Sequence, residues 1–468
     1  MLEAQVSGES RTVTAMRAAE FGYLDDGQHV YLDHTGAGLP PRSLLQGHVE
    51  RITGNCFGNP HSENPTSMAS SELLSQARAA VLRHFNADPA EYAVVFTPNA
   101  SGALRLVGEA YPFSRGNRLV LSADNHNSVN GIREYARAAH AKVVYVPLND
   151  PELRVDERDL FDALPIRRRR PCGLLAYPAQ SNFTGVQHPL EWVAAARARG
   201  YDVLLDAAAF APTNPLDLSL VQPDFTVVSW YKVFGYPTGV GSLIARKEAL
   251  ARLRRPWFAG GTIRIVSALA QWHLLADDET AFEDGTVNFL SIPDVSAGLE
   301  WIDGIGLDAV HAHVMELTDR LLTGLRELRH SSGLPMVRFY GPASTERRGV
   351  TVALNFLDRD GRVVDERIVT RDSARLGISL RAGCFCNPGA GEAALSLTLQ
   401  TLRSSMRRPF HTMDEFVERL GLPSAGAIRV SPGLATNTAD VDAFLQFARH
   451  AYRDRIPDTE GLIPRLGC

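Results

Sequence analysis

No apolar stretch in the 468-residue chain approaches the roughly 20 residues needed to span a bilayer. The N-terminus also lacks a signal-peptide core. Both absences predict a cytoplasmic protein without a membrane partner. Cysteine is scarce and odd in number, five residues in all, which argues against a disulfide framework and leaves thiols for chemistry or burial. Cys384 and Cys386 have only Phe385 between them, and no second Cys or His pair lies close by, so no metal site is expected. A dominant charge sign is missing as well. A net charge of −5 with 22% charged residues describes an ordinary globular protein. The single basic run, Arg167-Arg168-Arg169-Arg170, lacks interleaved aromatics and lies between Pro165 and Pro171. It reads as a solvated loop, and no nucleic-acid partner is expected.

What the chain does have is apolar content, 45% of its residues, enough to bury a substantial core in two or three domains. Short apolar runs ending in polar or small residues recur at 93–96, 118–121, 143–146, 173–176, 203–205, 226–228 and 242–244. Helix-like segments such as 131–139 and 190–199 alternate with them. The alternation predicts crossover connections and an α/β fold with a mainly parallel seven-stranded sheet covered on both faces. Ligands in such sheets sit at the carboxyl ends of the strands. From about residue 308 the pattern changes to a long amphipathic helix, 309–328, and a strand, 350–354, which predicts a smaller α+β domain. The expected division is an N-terminal segment, 1–30, packing with the small domain, then a large domain, 31–307, the small domain, 308–455, and a tail, 456–468.

Polar residues gather where the strands end, at 97–101, 124–126, 180–182, Asp206 and 229–232. Lys232 follows the apolar stretch 225–228 and enters a Gly-rich loop, where an anchored stem and a desolvated amine favour Schiff-base chemistry. Asp206 closes another strand. Together they suggest a pyridoxal phosphate site, with the lysine holding the aldehyde and the aspartate pairing with the pyridinium nitrogen. Segment 97–104 offers backbone donors and a helix N-terminus to a phosphate, although a capped helix without a ligand reads the same way. Ser229 can add a hydroxyl. His126 can stack on a flat cofactor, act as acid or base, or be a polar surface residue. Asn182 can donate to a phenolic oxygen or cap the turn before Gly185. Their shared position at strand ends favours the ligand readings.

These segments resemble a known family. The carriers are Tyr31-Leu32-Asp33-His34-Thr35-Gly36-Ala37-Gly38, Tyr177-Pro178-Ala179-Gln180-Ser181-Asn182, Leu205-Asp206-Ala207-Ala208-Ala209 and Ser229-Trp230-Tyr231-Lys232-Val233-Phe234-Gly235. Gly260-Gly261-Thr262, Phe282-Glu283-Asp284-Gly285-Thr286-Val287-Asn288 and Arg381-Ala382-Gly383-Cys384-Phe385-Cys386-Asn387-Pro388-Gly389-Ala390 complete the set. The chain is similar to the fold-type I, class V aminotransferase superfamily, to its cysteine desulfurase group, and most to the desulfurase-like domain of molybdenum cofactor sulfurases. The resemblance implies that Lys232 forms the Schiff base, Asp206 contacts the ring nitrogen, His126 stacks on the ring and Asn182 approaches the phenolic oxygen. It implies that Ala100, Ser101 and Ser229 hold the phosphate, that Thr262 reaches the partner subunit's phosphate in a homodimer, and that Arg429 binds the substrate carboxylate. Cys386 falls where desulfurases keep the sulfur-accepting cysteine. The implied reaction takes L-cysteine, with Lys232 removing the α-proton, to alanine and a Cys386 persulfide that passes to a sulfur acceptor, a protein or a metabolite.

The pattern also has departures. Ordinary desulfurases carry a histidine where this chain has Tyr231 and a glutamine where it has Ala209, and both changes resemble the sulfurase branch. Eukaryotic-type sulfurases carry a further cysteine at the place of Gly391 and an appended C-terminal domain, whereas here a short tail ending in Cys468 is expected, the acceptor being left open. Two alternatives keep the same residues: a β-eliminating C–S lyase, or another enzyme of this fold acting on a different amino acid, with Cys386 a bystander. A scaffold that binds the cofactor without turnover is the third.

Overall fold

The computed structural model describes residues 13, 15–166, 171–406, 411–422, 424–458 and 460–465. The basic run 167–170, Cys468 and most of the first fourteen residues lie outside the described residues.

A two-residue strand, β1 (Val30–Tyr31), precedes the main sheet. That sheet comprises β2 (Tyr92–Thr97), β3 (Arg118–Ser122), β4 (Lys142–Val146), β5 (Gly173–Pro178), β6 (Tyr201–Asp206), β7 (Phe225–Ser229) and β8 (Gly241–Arg246). Their spatial order is β2-β8-β7-β6-β5-β3-β4. Strands β3 to β7 run parallel, and β8 lies antiparallel between β2 and β7. Each of the seven apolar runs read from the sequence falls within one of these strands. Every residue of β5, β6 and β7 is buried, because alternate side chains enter opposite helical layers. Val203 and Leu205 join one core and Leu204 the other.

An antiparallel hairpin follows, β9 (Ile263–Ser267) with β10 (Trp272–Leu275). A second sheet contains β11 (Val337–Tyr340), β12 (Val352–Phe356), β14 (Arg381–Gly383) and β15 (Ala427–Val430), all antiparallel in the order β11-β12-β15-β14. Between them in sequence, β13 (Ile378–Ser379) pairs with β1. The long helix read at 309–328 spans Leu307–Glu327 and packs in this second core together with the helix Thr438–Tyr452. Arg17 reaches from the N-terminal segment to Asp440 at 2.7 Å, while Phe21 meets Trp301 edge to face. Among the described residues, no helix is long and apolar enough to cross a membrane, and no cluster of three His, Cys, Asp or Glu side chains could hold a metal ion.

Candidate active site

Lys232 stands on a one-turn helix, Trp230–Phe234, that leaves the end of β7. The turn is anchored on one side by Trp230, which is fully buried, donates from Nε1 to Ser242 Oγ at 2.8 Å and stacks on Phe234 with centroids 5.9 Å apart. Gly235 ends the turn in the left-handed region at φ 75°. Gly38 lies against the same turn; a Cβ there would come within 2.9 Å of Gly235 N and 3.0 Å of Lys232 O. With its backbone fixed, the Lys232 side chain is enclosed. Burial pushes its pKa down, and the nearby Asp206 carboxylate partly opposes the shift.

The opposite wall begins with the helix Ala100–Ala110, capped by Asn99, whose side chain accepts from Gly102 N at 2.8 Å. The helix comes close to the lysine strand because position 241 has no side chain: a Cβ on Gly241 would meet Asn99 C at 2.5 Å. Ser128 Oγ lies 2.5 Å from Ser101 Oγ and 3.1 Å from His126 Nδ1, and the Ser128 backbone N–H donates to the same Nδ1. A nitrogen that accepts a backbone N–H carries no proton, so the neutral His126 ring bears its hydrogen on Nε2. Burial pushes the His126 pKa down as well, favouring that neutral form. Asp206, at the end of β6, accepts from Ala208 N at 3.0 Å. Ser229 Oγ is buried and, among the described residues, has no hydrogen-bond partner.

Of the residues singled out from the sequence, Ala100, Ser101, His126, Asn182, Asp206, Ser229 and Lys232 line one cavity. Cys386, Arg429 and Thr262 do not line it. Cys386 is exposed on a loop that closes against this site: Asn182 Nδ2 donates to Phe385 O at 2.8 Å, and Asn127 N, next to His126, donates to Cys386 O at 2.7 Å. Asn387 Nδ2 joins the loop to Asn182 Oδ1 at 2.9 Å and to Asp124 O at 2.6 Å. Phe385 and Cys386 both hold positive φ, 56° and 53°. Two successive non-glycine residues in that region cost free energy, and the surrounding contacts over-determine the loop. The Asn182 carboxamide is thus engaged with the cysteine loop on both its nitrogen and its oxygen.

Arg429, on β15, is 2% exposed. Its Nη2 donates to Asp33 Oδ1 at 2.8 Å, its Nη1 to Asn182 O at 3.1 Å, and its guanidinium covers the Phe385 ring at 4.9 Å. Arg381 takes the other Asp33 oxygen at 2.7 Å. Nη1 and Nη2 each have one of their two N–H groups engaged in this way, and the enclosed Nε–H has no partner among the described residues. Asp33 is what makes this burial tolerable, since a buried arginine without its carboxylate is costly. The sequence reading quoted Asp33 within a motif but gave it no role. It also missed Ser128, for which the only signal was its place two residues after His126.

Thr262 is fully buried, with Oγ1 bonded to Ala259 O at 2.8 Å and Ala259 N at 2.9 Å. Cys56, Cys172 and Cys386 form no disulfide, whereas Cys384 is disulfide-bonded. The expectation of free thiols is corrected at Cys384. An odd count excludes complete pairing but not a single bridge.

The aminotransferase class-V family model matches residues 30–444. The molybdenum cofactor sulfurase of Bos taurus is 34% identical over 95% of this chain and that of Solanum lycopersicum 34% over 93%. The chain spans about half the length of these relatives, 52% and 57% respectively. Among solved structures, the apo cysteine desulfurase of Thermococcus onnurineus NA1 superposes with a TM-score of 0.77 at 23% identity, covering 93% of this chain and 97% of that one. The Escherichia coli cysteine desulfurase CsdA gives 0.73 at 23%, covering 94% and 98%. These two likenesses describe a common fold.

Proposed function

From its membership of the aminotransferase class-V family, we propose that this chain is a pyridoxal phosphate dependent cysteine desulfurase of the molybdenum cofactor sulfurase type, passing sulfur from L-cysteine through Cys386 to an acceptor. The observation that carries the reading is the meeting of Lys232, Asp206, His126 and the orphaned Ser229 hydroxyl in one cavity, with the Cys386 loop tied to its wall. The donor set fits the cofactor: free N–H groups at a helix N-terminus and the Ser101 and Ser229 hydroxyls suit a phosphate, and an enclosed amine suits an aldehyde. Bound pyridoxal phosphate supplies that aldehyde and a ring that takes up electron density when an α-proton leaves.

The chain's own residues would do the rest. Lys232 holds the cofactor and, once released by the amino acid, takes the α-proton on its neutral amine. Asp206 pairs with the ring nitrogen, and Arg429 steadies the substrate carboxylate with guanidinium N–H groups that Asp33 and Asn182 leave free. Cys386 as thiolate forms an S–S bond to the substrate sulfur while the carbon–sulfur bond breaks, its electron pair going to the carbon that is then protonated. Alanine leaves and Cys386 keeps the persulfide. The strained loop conformation at Phe385 and Cys386 supports a functional rather than a packing role for the thiol.

The reading includes a homodimer. Ile265, Val266, Leu269 and Trp272 on the β9–β10 hairpin are exposed beside Thr262, a large apolar surface for a lone chain. Light scattering that found only monomer would refute this part. The test of the chemistry is incubation with L-cysteine and reductant: alanine and sulfide are expected, and pyruvate with ammonia would instead establish the β-eliminating lyase.

The lowered Lys232 pKa has its own consequence. The neutral amine is the form that captures an aldehyde, so capture by cofactor-free protein should accelerate with pH with a midpoint below the 10.5 of an ordinary lysine. Stopped-flow absorbance from pH 6 to 11 would record it, and a midpoint at or above 10.5 would contradict it.

A further inference from the structure

Gln180 follows β5 and is 1% exposed, yet its Nε2 has no acceptor among the described residues. The orientation of this carboxamide is determined by its neighbours. Gln187 Nε2 donates to Gln180 Oε1 at 3.2 Å and Asn214 Nδ2 does so at 3.4 Å, while Gln187 Nε2 also donates to Asn214 Oδ1 at 2.8 Å. Asn214 Nδ2 is held in turn by Phe210 O at 2.9 Å. Turning the Gln180 amide over would set its NH₂ against two donors, so Nε2 stays on the far side. The amide packs against Gly349, where a Cβ would fall 1.8 Å from Oε1 and 2.7 Å from Nε2. The missing side chain at 349 makes room for it.

A buried N–H₂ without an acceptor is costly, and in a ligand cavity the ligand can supply the missing acceptor. Gln180 lines the same cavity as Lys232, Asp206 and Asn182, and so does Ala209, which brings no polar group to that wall. The Asn182 carboxamide has its hydrogen bonds directed to Phe385 O and Asn387 Nδ2. The geometry points to Gln180 as a further binding residue of this site, donating from Nε2 to an anionic oxygen of the bound ligand. This inference rests on the proposed cofactor reading. Two oxygens have that chemistry: the phenolic oxygen of the cofactor and the carboxylate of the amino acid.

Cofactor-loaded protein and its Gln180→Glu and Gln180→Met variants separate them by pH titration of the cofactor absorbance without amino acid, then by titration with L-alanine. Gln180→Glu keeps an acceptor for Gln187 and Asn214 but removes the donor, so the fold has a reason to persist. Gln180→Met removes both. A donor to the phenolic oxygen stabilises its anion, so its loss should raise the absorbance midpoint by about one pH unit, a tenfold change in the acid constant. If the partner is the carboxylate, the midpoint stays and L-alanine binds about tenfold more weakly. A Gly349→Ala variant, which displaces the amide without altering its chemistry, should repeat the Gln180→Met result. Folded variants with wild-type midpoint and wild-type L-alanine affinity would overturn the inference. Failure of the underlying cofactor reading would show instead in the wild-type protein, which would take up no pyridoxal phosphate.

Discussion

Replacing Lys232 by alanine should lower L-cysteine turnover by about three orders of magnitude or more, since one residue supplies both the covalent hold on the cofactor and the proton acceptor. The protein should stay folded. Trp230 and Phe234, not the lysine stem, anchor the turn, and removing an enclosed amine relieves a desolvation penalty rather than breaking an ion pair. The check is alanine production by purified protein, with circular dichroism and a thermal melt alongside. Turnover within tenfold of wild type would remove Lys232 from the proposed mechanism. Added alkylamines should restore part of the loss if proton transfer is what went missing, and none of it if only anchorage was lost.

Cys386→Ser should abolish sulfur delivery to an acceptor, again by about three orders of magnitude or more, because a hydroxyl has almost no oxyanion at neutral pH and cannot carry sulfane sulfur. Its signature differs from that of the lysine variant. Cys386 is exposed and lies outside the cavity wall, so cofactor uptake and absorbance should be unchanged. The substitution keeps the size of the side chain and the backbone bond from Asn127 N to Cys386 O. Labelled cysteine followed by mass spectrometry of the protein would find an added sulfur on the wild-type chain and none on the variant. A variant that released alanine at the wild-type rate without reductant would make Cys386 a bystander and return the reaction to the lyase reading.

The two predictions depend on a junction between the sheets. Asp33 lies after β1, receives Arg429 from β15 and Arg381 from β14, and Arg429 in turn holds the carbonyl of Asn182 beyond β5. One carboxylate therefore joins the second sheet to the rim of the first. The cysteine loop is laid across that junction by Asn182, Asn387 and the Phe385–Arg429 contact. A change at Asp33 should disturb the thiol and the carboxylate donor together.

The amino-acid sequence by itself determined the α/β fold, the seven strands and the cluster of polar groups at their ends. These follow from local rules: a strand buried on both faces must be a short apolar run, and the residue that ends it is the first free to be polar. Lys232, Asp206 and Ser229 were legible for that reason, and family resemblance marked Cys386 and Arg429. Tertiary structure alone decided how the latter two relate to the cavity. Arg429 has both Nη atoms bonded, to Asp33 and Asn182, a consequence of burial that no local pattern encodes. Gln180 looked like one more strand-end amide until its neighbours saturated its oxygen and left its nitrogen without an acceptor. Hydrogen-bond satisfaction depends on groups that are close in space and distant in sequence, so only the folded chain reveals which polar atoms remain open to a ligand.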